Sequence, residues 1–418
     1  MDILIVAIEE GRWGPARLPR ALKEAGLSVA ALCPDGHVVA ATDFLDRHYA
    51  LPVTRSSRKM AAALAQAMRD CQPKLVVPAD EQVVALLHAL VRRGPGVLDR
   101  DALATIVGSL ASPERFDPML MKSDTLALAR ECGVAVPAGG TVSSATAAKA
   151  LAGGIGYPVY VKSAFGWAGQ GVTRCADEAA LVAAMPAGPG RLAPVKALVR
   201  RVLARDWFPS SPAMDVQAAV DGRPAMYCAV AWRGRMLAGF AGIPQATVSA
   251  QGPSTVVTLG AHEAMAAASE RMIAALGASG FIGFDFMLEN GTGAALLLEC
   301  NPRPIQVCHL GARVGADLMG PLATALAGRP VPEAAVAPNS EVTAVLLPGA
   351  AQRVNVEAGA DNEDSPPPAR RAGGLSGTPS PSSDAFLDIP WGDEGLCRFA
   401  GVSHSAMPCI SRISPVMG

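Results

Sequence analysis

The chain has 418 residues, 50% of them hydrophobic and 17% charged, with a formal net charge of −1. That length supports a large core spread over two or three domains, and the near-neutral balance excludes nucleic acid or an anionic membrane as a partner recognised by bulk charge. No apolar run approaches the roughly 20 residues needed to cross a bilayer, and nine scattered cysteines without a C-x-x-C pair point to reduced thiols and a cytoplasmic protein.

In chain order, residues 3–8 read as a short apolar strand; with an acid at position two and no basic segment, the opening is a strand rather than a leader. A loop follows over 9–14, then a helix over 16–25 ended by Gly26 and a second strand over 27–33. Residues 58–71 form an Ala-rich helix, and 74–78 a strand running into Ala79, Asp80 and Glu81. Strands alternating with helices imply a parallel sheet covered on both faces, so residues 1–112 are expected to form a doubly wound α/β domain. The loop carrying Gly11 and Gly14 lacks the G-x-G-x-x-G spacing of a dinucleotide site. Glu9, Arg12, Asp80 and Glu81 fall at strand C-terminal ends, where ligands of open α/β sheets bind, although solvation is the more ordinary fate of each.

A helix over 121–132, stopped by Gly133, leads toward a strand near Thr141. Residues 158–162 form a strand with Lys162 at its end, followed by a loop containing Gly166, Gly169 and Gly171. Backbone N–H groups of such a loop approach oxygens closely because no Cβ intervenes. A lysine at a strand end beside a mobile glycine loop suits a polyphosphate held away from water. Residues 214–220, 225–232 and 235–241 read as an antiparallel meander, and 262–276 as an Ala-rich helix whose Met265, Ala268, Met272 and Ala275 face the core.

The densest stretch is FIGFDFMLENGTGAALLLECNPR, residues 281–303. Two apolar strands, 282–288 and 294–300, are joined through Asn290-Gly291, a tight-turn signal. Each strand carries one carboxylate, Asp285 or Glu299, and a buried carboxylate is costly unless a cation compensates it. With the amide of Asn301 they form a set suited to Mg²⁺, or Mn²⁺ in its place, while the planar fork of Arg303 suits phosphate. A helix over 317–327 follows, and Cys300 and Cys308 read as packing residues. Residues 341–347 read as a strand, 361–384 as a Pro/Ser/Gly-rich flexible linker and 386–391 as a short element able to dock back.

Asp285, Glu299, Asn301 and Arg303 resemble the metal-and-phosphate hairpin of the ATP-grasp superfamily, whose second strand reads E-x-N-x-R. Upstream, the pattern P-x-x-x-K ahead of a small-residue loop, at Lys162, is similar to the same family, and Lys122 inherits by position the role of a basic residue reaching the nucleotide phosphates. The resemblance implies an α/β and α+β architecture: the N-terminal domain over 1–112, a two-part ATP-grasp domain over 113–330 with a lid over about 113–196, and a C-terminal extension over 331–418. It implies ATP and Mg²⁺ as cofactors. It also implies backbone contact with adenine near Val199 and Arg200, although Arg200 and Arg201 stand where polar residues are usual. Either Asp206 takes the ribose hydroxyls one residue out of register, or that contact is absent.

The activity this resemblance implies is activation of a carboxylate as an acyl phosphate and its transfer to an amine or similar nucleophile, with Lys162 and Arg303 nearest the chemistry. The partners expected are small-molecule acids and amines, not nucleic acid or membrane, and a homo-oligomer is compatible with the family. One alternative is a catalytically degenerate ATP-binding protein, suggested by the departures over 200–207. The other is a biotin-carboxylase-like carboxylase, opposed by Cys308 standing where a Q-V-E segment places its glutamate.

Overall fold

The computed structural model describes residues 1–166, 171–185, 207–209, 211, 213–248, 252–331, 335–336, 341–346, 385–388 and 393–399. It is a mixed α/β molecule built on three sheets. In the first, β1 (Ile3–Val6), β2 (Val29–Cys33), β3 (Arg47–Ala50) and β4 (Leu75–Pro78) lie parallel in the order β3-β2-β1-β4. The strands β1, β2 and β4 are buried throughout, which is why they read as unbroken apolar runs. The edge strand β3 has mostly exposed Arg-His-Tyr-Ala and offered no such signal. Helices α1 (Trp13–Glu24), α2 (Ser57–Cys71) and α3 (Glu81–Arg93) belong to this unit.

The second sheet is small and antiparallel, ordered β5-β8-β6-β7, from β5 (Gly139–Val142), β6 (Val159–Ser163), β7 (Val172–Cys175) and β8 (Met214–Ala218). Here the structure corrects the expected meander: β8 pairs with β5 and β6 instead of with the strand that follows it. Its buried Val216 packs with Val159, Val161, Ala148 and Leu181 in a small core separate from the two large ones. A unit with a small core of its own opens locally at lower cost than the sheets it covers.

The third sheet runs β13-β12-β9-β10-β11-β15-β16, with β14 (Ala335–Val336) pairing β10. Its strands are β9 (Gly222–Trp232), β10 (Arg235–Thr247), β11 (Ser254–Gly260), β12 (Gly280–Glu289), β13 (Ala295–Asn301), β15 (Val342–Leu346) and β16 (Ala385–Asp388). The β9–β10 turn places Arg233 and Gly234 at φ 51° and 78°, the paired left-handed geometry of a tight hairpin. The predicted Asn290-Gly291 turn instead opens into a longer loop, in which Gly291 and Gly293, but not Asn290, have positive φ. One large core spans this sheet and the first, from Leu4 and Val76 to Phe284 and Leu297, so the N-terminal unit and the central sheet are packed as one body.

Described parts of the predicted C-terminal extension are built into the molecule. β15 joins β11, β16 pairs parallel with β15, and the helix Glu394–Phe399 rests on the N-terminal unit, where Phe399 meets Trp13 edge-on at 5.7 Å. The predicted linker over 361–384 lies outside the described residues.

Candidate active site

The hairpin of β12 and β13 carries the acids. Asp285 and Glu299 are direct cross-strand partners, with a bulge immediately after Asp285. Bulges re-aim side chains and are common beside functional sites. Asn301, two residues beyond Glu299 and so on the same face of β13, donates from Nδ2 to Asp285 Oδ2 at 3.1 Å. Burial, reinforced by the charge and hydrogen bonding of Glu299, pushes the Asp285 carboxyl up to about 7. Burial also opposes ionisation of Glu299, but Lys122 outweighs it and holds that carboxyl below its ordinary range.

Lys122 occupies the first turn of helix α4 (Lys122–Glu131), an unfavourable place for a cation next to the positive end of the helix dipole. The explanation lies across the cleft: its Nζ reaches Glu299 Oε2 at 2.5 Å, and its side chain is 8% exposed. The backbone N–H of Lys122 also donates to Ala164 O at 2.9 Å, tying α4 to the root of the glycine loop. A residue that looks like a surface lysine by sequence is therefore buried in the site.

Lys162 ends β6 opposite Asp215 of β8 and Val172 of β7. Burial, then the nearby Lys122, lower its pKa; Glu299, Asp215 and Asp285 oppose that shift. Among the described residues its ammonium makes no hydrogen bond or ion pair, so it is a cation with its donors available. Gly171 closes the described part of the loop at φ 72°, its carbonyl accepting from Ser163 N at 2.9 Å; a Cβ there would collide with the Ser163 side chain. Gly166 lines the cleft together with Glu299 and Asn301. Gly169, Val199, Arg200 and Asp206 lie outside the described residues.

Arg303 links the hairpin to the N-terminal unit. Its Nη2 meets Glu81 Oε1 at 2.5 Å and Asn301 Oδ1 at 3.3 Å. The other oxygen of Glu81 takes Arg12 Nη2 at 3.1 Å, and Arg12 in turn pairs with Glu9 at 2.9 Å. Burial works against an ionised Glu81, but Arg303 and Arg12 hold its carboxyl below the usual range. Asp80 accepts from Ile8 N at 2.8 Å, Glu9 N at 2.9 Å and, as the cap of α3, Val83 N at 2.9 Å. The expectation of solvated acids thus fails for Asp80 and Glu81, both buried. Asp80 shapes the loop, and Glu81 positions Arg303.

Asp215 escaped the sequence reading. It is buried beside Lys162 and accepts from Gln217 Nε2 at 2.5 Å. Burial raises its pKa, and Lys162 counters that. The available signal was an acid and an amide two residues apart in the short strand Met-Asp-Val-Gln-Ala, which puts both on one face. Cys308 sits with its Sγ 3.0 Å from Cys228 Sγ, buried in the core as a packing residue.

Asp285, Glu299 and Asn301 fit a hard divalent cation: two carboxylates face each other beside the Asn301 amide, whose nitrogen meets Asp285 and whose oxygen would join the set on turning from Arg303, and burial and the charge of Glu299 push one carboxyl toward neutrality.

Hairpin, lysine strand and small sheet together have the fold of the ATP-grasp proteins, which the chain resembles. Within it the resemblance is to carbamoyl phosphate synthase. The family model described as the carbamoyl-phosphate synthase L chain, ATP binding domain, matches residues 122–203. The carbamoyl phosphate synthase large chain of Kineococcus radiotolerans is 30% identical over 243 residues, covering 53% of this chain and 20% of that protein. The chain therefore spans about a fifth of that relative's length. Among solved structures, the biotin carboxylase–β-γ-ATP complex from Campylobacter jejuni superposes with a TM-score of 0.59 at 18% identity, covering 81% of this chain and 74% of that one. N5-carboxyaminoimidazole synthetase from Staphylococcus aureus complexed with ADP gives 0.56 at 12% identity, covering 82% of each. At these identities the two structures speak for the fold.

Proposed function

We propose that the protein is an ATP-dependent, ADP-forming ligase that activates a carboxylate as an acyl phosphate and joins it to an amine or similar nucleophile. The observation that carries this reading is the convergence of Lys122, Lys162, Asp285, Glu299, Asn301 and Arg303 on one cleft between the small sheet and the central sheet. Asp285, Glu299 and Asn301 would hold Mg²⁺, which when bound neutralises phosphate charge and stabilises charge building on the transferred group. Lys162 supplies an ammonium, unpaired among the described residues, for the phosphoryl oxygens. Lys122, already close to Glu299, stands beside it, and Arg303 is held rigid by Glu81 for charge stabilisation without reorganisation. The acid's carboxylate oxygen attacks the γ-phosphorus as the bond to ADP breaks. The amine then attacks the acyl carbon, phosphate leaves and the amine loses a proton. The small sheet, with its separate core, supplies the element that closes over the nucleotide and excludes water.

A carboxylase finds no support at the residue that would distinguish it, because Cys308 offers a buried thiol in place of a carboxylate. The test is ADP release across a panel of carboxylic acids with hydroxylamine as a general nucleophile. The ligase predicts acid-dependent ADP release and hydroxamate formation, both lost in Asp285→Ala. ADP release that depends on bicarbonate with no other acid present would overturn it.

A further inference from the structure

Asp388, the last residue of β16, is buried between two partners from distant parts of the chain. One of its oxygens pairs with Nη1 of Arg17, a buried residue of α1, and both oxygens stand 3.1 Å from His309 Nε2. Burial and the Arg17 charge push the His309 pKa well below its ordinary value, so a neutral ring donates to Asp388. His309 belongs to a short 3₁₀ helix, Cys308–Val314, that follows Arg303 closely in the chain. Burying a carboxylate is costly unless it is paired, and both of its partners here sit on elements that flank Arg303.

The residues after β16 hold the same N-terminal unit. Asp393 accepts from Thr42 Oγ1 and, at 3.1 Å, from Asp43 N, while Asp43 accepts from Gly395 N at 2.8 Å. Gly395 is seated against Ala41 O with no room for a Cβ. The contact of Phe399 with Trp13 adds a second hold on α1, next to Arg12. Arg12 meets Glu81, and Glu81 meets Arg303. The Arg12 side chain is 20% exposed, so its pair with Glu81 is a modest tether by itself. At the start of α1 a Cβ on Gly14 would lie 2.8 Å from Gln306 Cα, so the helix packs directly on the backbone that follows Arg303. Arg303 therefore stands in a closed ring of contacts. Glu81, Arg12 and α1 form one side, residues 304–309 form the other, and Asp388 joins the two.

Resting on the ligase reading above, we propose that residues 385–388 and 393–399 brace Arg303, and that Asp388 is a positioning residue for phosphoryl transfer. It acts through α1 and residues 304–309 and touches no substrate. Without its carboxylate, α1 and the 3₁₀ helix lose their common partner, and the guanidinium keeps only the local hold of Glu81, Asn301 and Pro304 O. A displacement of about 1 Å caused far from the chemistry costs about 100-fold in rate, so a remote brace has a measurable effect.

The experiment is a double-mutant cycle in the full chain between Asp388→Asn and Arg303→Lys, because a coupling shows as a cost that depends on the background. In the binding arm, Mg²⁺ and a non-hydrolysable ATP analogue are titrated calorimetrically. Asp388→Asn should weaken binding at least about fivefold with Arg303 present and less than about twofold beside Arg303→Lys. In the turnover arm, acid-dependent ADP release should fall about tenfold or more, again only with Arg303 present. Phe399→Ala trims a ring that is 47% exposed and should show the same dependence at smaller size; it replaces Asp388→Asn if that variant fails to fold. Equal losses in both backgrounds, as general destabilisation would give, or no loss from either variant would overturn the brace. Coupled binding without ADP release from any acid would keep the brace and remove the ligase. Acid-dependent ADP release that neither variant alters would keep the ligase and remove the brace.

Discussion

Two pairs of acids stand near the same cleft, one buried and one half-buried, and the protein treats them differently. Asp80 and Glu81, at the start of α3, are fully provided for: three backbone N–H groups meet Asp80, and Arg303 and Arg12 meet Glu81. Asp285 and Glu299 face each other with Lys122 and the Asn301 amide as their direct partners among the described residues, and Asp285 is pushed up to about 7. The buried pair is compensated by the fold, and the half-buried pair is the one left short. A pair satisfied by its own fold is a positioning device, whereas a pair left short of positive charge is shaped for a cation that arrives with the ligand.

The largest expected effect comes from breaking the satisfied pair. Glu81→Ala leaves Arg303 buried without its counter-charge and should cost about 3–5 kcal/mol of stability by urea unfolding. Glu81→Gln, which keeps a hydrogen-bond acceptor, should cost less. A loss below about 1 kcal/mol in Glu81→Ala, the level of a surface ion pair, would show that the pair does not anchor the hairpin.

Next comes Lys162→Ala, expected to weaken nucleotide binding by about 1.5–3 kcal/mol, the range for a hydrogen bond to a charged group. Turnover should fall with it. Unchanged binding and turnover would reduce Lys162 to a bystander.

The two pairs should also respond to pH with opposite sign. Glu81 has a lowered pKa, so its contribution to stability is present above the unfolded value and is lost as acid protonates it. Asp285 has a raised pKa, so between about 4 and about 7 the folded, metal-free protein binds more protons than the unfolded chain, and stability from this group falls as pH rises across that window. Asp285→Asn should flatten that part of the profile. A metal-free profile identical in wild type and Asp285→Asn would contradict the shift.

The smallest effect completes the contrast. At about pH 4, where Asp285 is still protonated in the folded metal-free protein, Asp285→Asn exchanges one neutral group for another of the same shape and should change stability by no more than about 1 kcal/mol, within the ordinary spread for single substitutions. A loss as large as that from Glu81→Ala would erase the distinction between the pairs.

Much of this contrast was legible in the sequence, and unevenly. The hairpin acids stood out because Asp285 and Glu299 interrupt runs that are otherwise apolar, and a local anomaly survives whatever the fold does with it. Lys162 stood out for the same reason, at a strand end before glycines. Glu81 was visible only as an acid at a helix start, since its partner Arg303 lies more than two hundred residues away in the sequence. Asp215 was hidden by the wrong strand pairing: β8 looks like the first strand of a meander, and only the assembled small sheet brings it beside Lys162. Asn290-Gly291 misled because the turn is set by where the strands end, and β13 begins only at Ala295.

The account rests on the under-compensated pair being a metal–nucleotide site, and calorimetric titration of ATP with and without Mg²⁺ tests that most directly. Wild-type protein should bind ATP at least about tenfold more tightly with Mg²⁺, a difference of about 1.4 kcal/mol or more, and Glu299→Gln should lose that dependence. Equal affinity in the two conditions would contradict the assignment of Asp285, Glu299 and Asn301.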